Sequence, residues 1–200
     1  EIRKVTGVQT CALPISASKQ DVLSTAKLIE YLAAAPGKAV VVDNTSAQDV
    51  AEQYPAFLEK GISVVTPNKK AFSGSFELWE AIFGAAAKSG AKVYHESSVG
   101  AGLPVISTVK DLVETGDEVT KIEGVFSGTM SFLFNSFAPT EGEGGKWAAE
   151  VKKAKELGYT EPDPRDDLNG LDVARKLTIL ARLVEIGRAS CRERVFAGCR

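Results

Sequence analysis

The sequence predicts an α/β protein in which a parallel sheet flanked by helices is followed by a domain of α+β character. Three observations predict it. Up to Ser97, short β-branched runs alternate with stretches of helical period across short connections, the pattern that builds parallel sheets. Polar loops, DNTS at 43–46 and PNKK at 67–70, follow two of those runs, and open parallel sheets bind ligands at such strand ends. Beyond Ser97 the alternation becomes irregular.

Taken in order, Ser18 with Asp21 has the form of a capping box, and Val22, Leu23, Ala26, Ile29 and Leu32 recur at helical spacing until Pro36 and Gly37. Residues 39–42 suit a strand buried on both faces. A helix is expected over 47–60, closed by Gly61 in a left-handed cap, then a strand over 62–66 and a loop at Pro67 to Lys70. The next helix covers 75–89 and stops at Gly90, and a strand follows at 92–97. Gly100 and Gly102 mark a turn around Ala101, and Pro104 opens a helix to Glu114 at the position where proline is tolerated. A strand over 118–126, a helix over 129–137, a glycine-rich loop at 139–145, a helix over 147–157, an acidic loop and a helix over 171–184 complete the pattern. Phe126, Phe132, Phe134 and Phe137 read as core or interface, and Trp79 and Trp147 as packing against the sheets.

Composition narrows the function. Of 200 residues, 44% are hydrophobic and 25% charged, enough to bury a core. A net charge of -2 argues against a phosphate-backbone binder, so nucleic acid is not an expected partner. Apolar runs such as 39–42 fall far short of the roughly 20 residues of a membrane span, so no membrane partner is expected. Both ends, Val5 to Ser16 and Glu185 to Val195, lack periodicity and look like translated sequencing adapters. Residues 1–16 and 185–200 are therefore set aside as artefacts. Cys11, Cys191 and Cys199 all lie there, so 17–184 offers no disulfide framework, cysteine-ligated metal or thiol nucleophile.

The acidic segment GYTEPDPRDDLNGLDVARK, Gly158 to Lys176, gathers Glu161, Asp163, Asp166, Asp167 and Asp172, with Pro162 and Pro164 stiffening its loop. Asp172 and Lys176 are four apart and share a helix face; by spacing alone that is a solvated ion pair. A calcium loop fails on the EF-hand spacing of glycine and glutamate. His95, the one histidine in the sequence, reads as a packed residue because no second histidine is available as a ligand. The turn around Ala101 is weak evidence for a phosphate loop, and no G-x-G-x-x-G occurs.

Five ordered motifs carry a resemblance. VVDNTS (Val41 to Ser46), TPNKKA (Thr66 to Ala71), SVGAGLPVI (Ser98 to Ile106), KIEGVFSGT (Lys121 to Thr129) and the acidic segment make 40–183 similar to homoserine dehydrogenases. HESSVGAG and IEGVFSGT are more similar to the fungal monofunctional enzymes than to the kinase-fused ones. The resemblance implies the C-terminal part of a Rossmann-type nucleotide-binding domain over 17–97 and part of a substrate-binding and dimerisation domain over 98–184. It implies reduction of aspartate 4-semialdehyde to homoserine by NADH or NADPH, in a cytoplasmic homodimer.

The same resemblance distributes roles. Lys176 matches the proton donor, and Lys69 a second active-site lysine. Glu161 and Asp172 match groups that hold the substrate, whose ammonium they would bind by charge-assisted hydrogen bonds, while Asp163, Arg165, Asp166 and Asp167 shape the loop. Thr45, Lys69 and Gly158 match nucleotide contacts. The Glu96 side chain and the carbonyls of Val99, Ala101 and Leu103 match a monovalent-cation site, usually sodium. Aspartate semialdehyde dehydrogenase would need a cysteine nucleophile, and a short-chain dehydrogenase Tyr-x-x-x-Lys; 17–184 contains neither. Two alternatives stay open: a truncated chain that binds or assembles without turnover, and a part of a bifunctional aspartate kinase/homoserine dehydrogenase.

Overall fold

A computed structural model describes residues 24–184. The Ser18–Asp21 capping box, Val22, Leu23, all three cysteines and both adapter-like ends lie outside the described residues. The described residues form two compact units, one up to Thr108 and one from Val109.

In the first unit three parallel strands, β1 (Val40–Val42), β2 (Ser63–Val65) and β3 (Val93–Tyr94), lie in the order β1-β2-β3. Val41 pairs with Val64, and Val64 with Val93. Before β1 stands α1 (Thr25–Ala34), whose N-cap Ser24 accepts from the Lys27 amide. Between β1 and β2 the single helix expected over 47–60 is two pieces, α2 (Gln48–Ala51) and α3 (Tyr54–Glu59). Pro55 explains the break. It has no N–H to return to Ala51, and its ring would meet that carbonyl in a continuous helix, whereas proline is tolerated in a first turn.

The loop expected at 67–70 leads straight into a short helix, α4 (Lys70–Ser73), ahead of α5 (Phe76–Ser89). Ser75 caps α5 by accepting from Leu78 N, and Gly90 ends it at φ 77° as expected. Gly61 likewise has φ 75° just after α3. Helix α3 packs on α5 and on β2, leaving Leu58, Ile62, Val64 and Ile82 fully buried. Each such aliphatic side chain stabilises the unit by about 1.5–3 kcal/mol. Residues paired across a parallel sheet share a face, and the opposite face presents Val42, Val65 and Tyr94, which are exposed.

Phe72 centres an aromatic cluster. His95 stacks on it at 4.1 Å between centroids, and Trp79 meets it edge-on at 6.2 Å. His95 is buried, with Nδ1 3.2 Å from Ser98 Oγ, as a packed residue should be. A 3-10 turn at Glu96–Ser98 and the turn around Ala101 then lead to α6 (Val105–Glu114).

The second unit contains α7 (Gly128–Phe137), α8 (Trp147–Glu156), α9 (Pro164–Leu168) and α10 (Leu171–Leu183). The strand expected over 118–126 is absent: the segment finds no pairing partner among the described residues, and period-two patterning yields a strand only where a ladder can form. Trp147 packs on Phe134 and Phe137 of α7, at 5.9 and 5.2 Å, instead of on a sheet. What read as a stiff acidic loop contains a helical turn, with Pro164 first in α9 and Asp163 as its N-cap. Among the described residues no helix is long and apolar enough to cross a membrane.

Candidate active site

In the first unit the polar loops follow neighbouring parallel strands, so the ladder itself places the loops bearing Thr45 and Lys69 at the carboxyl end of the sheet. Asp43, directly after β1, continues the ladder through its N–H to Val65 O, and Thr66 does so to Tyr94 O. The Asp43 carboxylate turns back into the protein. Its Oδ1 accepts from Thr45 N at 2.7 Å, and Thr45 Oγ1 accepts from Ala47 N at 3.1 Å. These side-chain turns fix the half-buried Thr45. Oδ2 of Asp43 accepts from the Tyr54 hydroxyl and, at 3.2 Å, from Asn68 Nδ2, which also donates to Ala47 O. Asn68 N–H donates to Thr66 Oγ1, and Lys70 N–H to Asn68 Oδ1. Lys69 is half-buried and caps α4, its carbonyl receiving Ser73 N and Ser73 Oγ.

Glu96 projects to the start of α6. Its Oε1 accepts from Ile106 N at 2.8 Å and its Oε2 from Ser107 N at 3.0 Å, a favourable place for a carboxylate. The intervening turn is tight. Gly100 has φ 83°, where an added Cβ would meet the Val105 side chain, and Ala101 has φ 51°, the one positive φ among described non-glycine residues. Val99 is buried, while Ala101 and Leu103 are exposed, and the Leu103 carbonyl accepts from Val105 N.

In the second unit Lys176 Nζ lies 2.6 Å from Asp172 Oδ2 and donates to the Phe126 carbonyl at 2.7 Å. This pair is not the solvated one that spacing suggests: only 16% of the Lys176 side chain and 4% of that of Asp172 are exposed. Glu161 is placed through its backbone, since its N–H donates to Oδ2 of buried Asp167 at 2.8 Å. Thr129 Oγ1 donates to Tyr159 O at 2.6 Å and ties the start of that segment to α7. Gly158 ends α8 at φ 73°, with its own N–H on Lys155 O and that of Tyr159 on Ala154 O, a two-bond helix stop that requires the left-handed region.

The remaining charges brace the loop, as the sequence suggests. Arg165 clamps Asp163 through Nε and Nη2, and its side-chain and backbone hydrogen bonds hold the Asp163 carboxyl down to about 2. Arg175 bonds Asp166 at 3.0 Å. Sequence reasoning missed Asp43, Tyr54 and Asn68 of the first unit, and the Phe126 carbonyl and Thr129 of the second. Asp43, Asn68, Phe126 and Thr129 lie within motifs already singled out and Tyr54 lies outside them, but a buried hydrogen-bond partner leaves no periodicity to detect.

The first unit is thus a parallel sheet flanked by helices, and the second a helical unit that holds a mostly buried lysine–aspartate pair. The family profile described as homoserine dehydrogenase, NAD binding domain, matches residues 7–96, and that described as homoserine dehydrogenase matches 104–193. This chain belongs to the homoserine dehydrogenase family. It is 65% identical over 179 residues to homoserine dehydrogenase of Emericella nidulans, covering 89% of this chain and 48% of that protein. It is 52% identical to a chloroplastic bifunctional aspartokinase/homoserine dehydrogenase of Arabidopsis thaliana, covering 72% of this chain and 15% of that protein. Among solved structures, a Candida auris protein of unknown function superposes with a TM-score of 0.76 at 50% identity, covering 88% of this chain and 49% of the other. A hyperthermophilic archaeal homoserine dehydrogenase in complex with NADPH superposes with a TM-score of 0.62 at 28% identity, covering 72% and 43%. The chain spans about half the length of the curated fungal relatives it matches.

Proposed function

We propose that the chain carries substrate-binding and proton-donating groups of a homoserine dehydrogenase that reduces L-aspartate 4-semialdehyde to L-homoserine. Bound NADH or NADPH supplies the hydride to the aldehyde carbon. The carbonyl electrons move onto the oxygen, which must gain a proton. One observation carries the assignment of that proton to Lys176: its ammonium is withdrawn from solvent and held between Asp172 Oδ2 and the Phe126 carbonyl. An ammonium has three N–H donors; two are engaged there, and the third is the proton for the oxygen.

Glu161 and Asp172 take the substrate ammonium, Glu161 with its backbone held by Asp167. Thr45, Lys69 and Gly158 contact the nucleotide, and Lys69 also serves as the second active-site lysine. A sodium ion would take the Glu96 carboxylate and the carbonyls of Val99, Ala101 and Leu103. That donor set is all oxygen, as a hard cation prefers, and the ion would share Glu96 with the α6 amides. Domain roles follow as nucleotide binding over 17–97 and substrate binding with dimerisation over 98–184, in a cytoplasmic homodimer with no nucleic-acid or membrane partner.

The test is Lys176→Ala in a complete homoserine dehydrogenase carrying this segment. A general acid contributes about 100- to 10,000-fold, so kcat should fall by at least about 100-fold while the cofactor Kd stays within about twofold. Undiminished turnover would remove Lys176 from the chemistry.

A further inference from the structure

We propose that Asp43, Tyr54, Thr66 and Asn68 form a buried positioning relay that locks the loop bearing Thr45 to the loop bearing Lys69 and so sets the affinity for the nicotinamide dinucleotide. The proposal rests on the nucleotide-contact reading of Thr45 and Lys69 given above.

All four residues are at most 4% exposed. Burying that many polar groups stabilises nothing unless each finds a partner, and here each does. The protons run in one direction. Tyr54 has a single hydroxyl proton and lies against both Asp43 Oδ2 and Thr66 Oγ1. A carboxylate accepts and does not donate, so that proton goes to Asp43. Thr66 must then donate its own hydroxyl proton to Tyr54 Oη, 3.0 Å away, and Thr66 Oγ1 is in turn satisfied by Asn68 N–H at 2.9 Å. The chain reads Asn68 N–H to Thr66, Thr66 to Tyr54, Tyr54 to Asp43. Burial, and the hydrogen bond to the Asp43 carboxylate, push the Tyr54 hydroxyl far above the ordinary tyrosine range, so it remains a donor at every working pH.

At the Asp43 end the relay meets the first loop. The same carboxylate that receives Tyr54 receives Thr45 N on its other oxygen. At the Asn68 end it meets the second: the Asn68 side chain donates to Asp43 Oδ2 and to Ala47 O in the first loop, and accepts Lys70 N in its own. Asp43 therefore receives three donors, two from side chains and one from backbone, that belong to the two loops and to α3. None of the four needs to touch the nucleotide. They act through Thr45 and Lys69, by removing the freedom that binding would otherwise have to remove.

The experiment measures binding of NADPH and NADH to the complete enzyme by nicotinamide fluorescence, with homoserine turnover followed separately. Tyr54→Phe deletes the central proton without changing ring volume, and Thr66→Val deletes the second hydroxyl at nearly constant shape. Each should raise the cofactor Kd about tenfold, or about 1.4 kcal/mol, while the KM for homoserine moves less than about twofold. Thr66→Ser restores the hydroxyl and should restore the Kd, a rescue that lost packing would not give. Unchanged cofactor Kd in folded Tyr54→Phe or Thr66→Val overturns the proposal, as does equal loss in Thr66→Ser and Thr66→Val. If one variant fails to fold, the other still decides. Wild-type enzyme that binds cofactor without turning over homoserine would defeat the reaction proposed above and leave the relay standing; wild type that binds no cofactor would defeat both.

Discussion

Asp172 and Lys176 stand one turn apart on α10 with Oδ2 and Nζ at 2.6 Å, and the pair is nearly withdrawn from solvent. Exposed i,i+4 pairs contribute a few tenths of a kcal/mol. A mostly buried pair behaves differently, because each charge has lost its water and relies on the other.

Asp172→Ala should therefore destabilise the complete enzyme by about 3 kcal/mol by leaving the lysine ammonium uncompensated, and Asp172→Ala/Lys176→Met should recover most of that loss. Denaturant unfolding of wild type, the single variant and the double variant checks this. An unshifted midpoint in Asp172→Ala would mean that solvent already screens the pair.

Lys69→Ala should weaken cofactor binding by about tenfold, the effect of one charge-assisted hydrogen bond of about 1.5 kcal/mol, with little change in the KM for homoserine. Equilibrium titration with NADPH reads this contact through Kd, while kcat, measured beside it, should also fall if Lys69 serves as the second active-site lysine; an unchanged Kd would remove Lys69 from the nucleotide site.

Asp163 offers a pH test. Its carboxyl is held at about 2 by Arg165, below the ordinary aspartate value, so the contribution of the clamp is present above the unfolded-state value near 4 and is lost as pH falls through about 2. A carbon-detected NMR titration should place the Asp163 midpoint near 2 in wild type and higher in Arg165→Leu. Coincident curves would show that the clamp does not persist in solution.

Two glycines should respond differently to alanine. At Gly158 a Cβ meets nothing within 4 Å, and the cost is the left-handed backbone at φ 73°, about 1 kcal/mol. At Gly144 the Cβ would run into the Phe137 carbonyl oxygen, so backbone must shift. Thermal melts should rank Gly144→Ala below Gly158→Ala, and a cofactor Kd raised in Gly158→Ala would add support for the nucleotide contact.

The alternating pattern is enough to find the three strands of the described sheet, but not the burial of β1: residues 39–42 suit a strand buried on both faces, whereas Val40 and Val42 are exposed. It located α5 through α8 within a residue or two, since Gly90 and Pro104 mark ends by backbone chemistry. It misjudged 118–126, where the same alternation finds no described ladder, and 47–60, where apolar spacing continues across a proline that interrupts the backbone. In the site, Lys176 and Asp172 were visible as a spaced pair, but their burial was not. The Phe126 carbonyl lies 50 positions away in sequence and contributes a backbone atom common to every residue, so no side-chain pattern could single it out.

Pro55 has a consequence for engineering the first loop. By ending α2 and opening α3, it sets Tyr54 at a helix start from which its hydroxyl reaches back eleven positions to Asp43. Both ends of the intervening stretch are pinned, one by the sheet ladder and one by the helix. Exposed side chains within it, such as Asn44, Ser46 and Asp49, are free to change in kind. Its length is not free: one residue more or fewer shifts Tyr54 out of phase with Asp43, so this loop tolerates recoding and resists insertion.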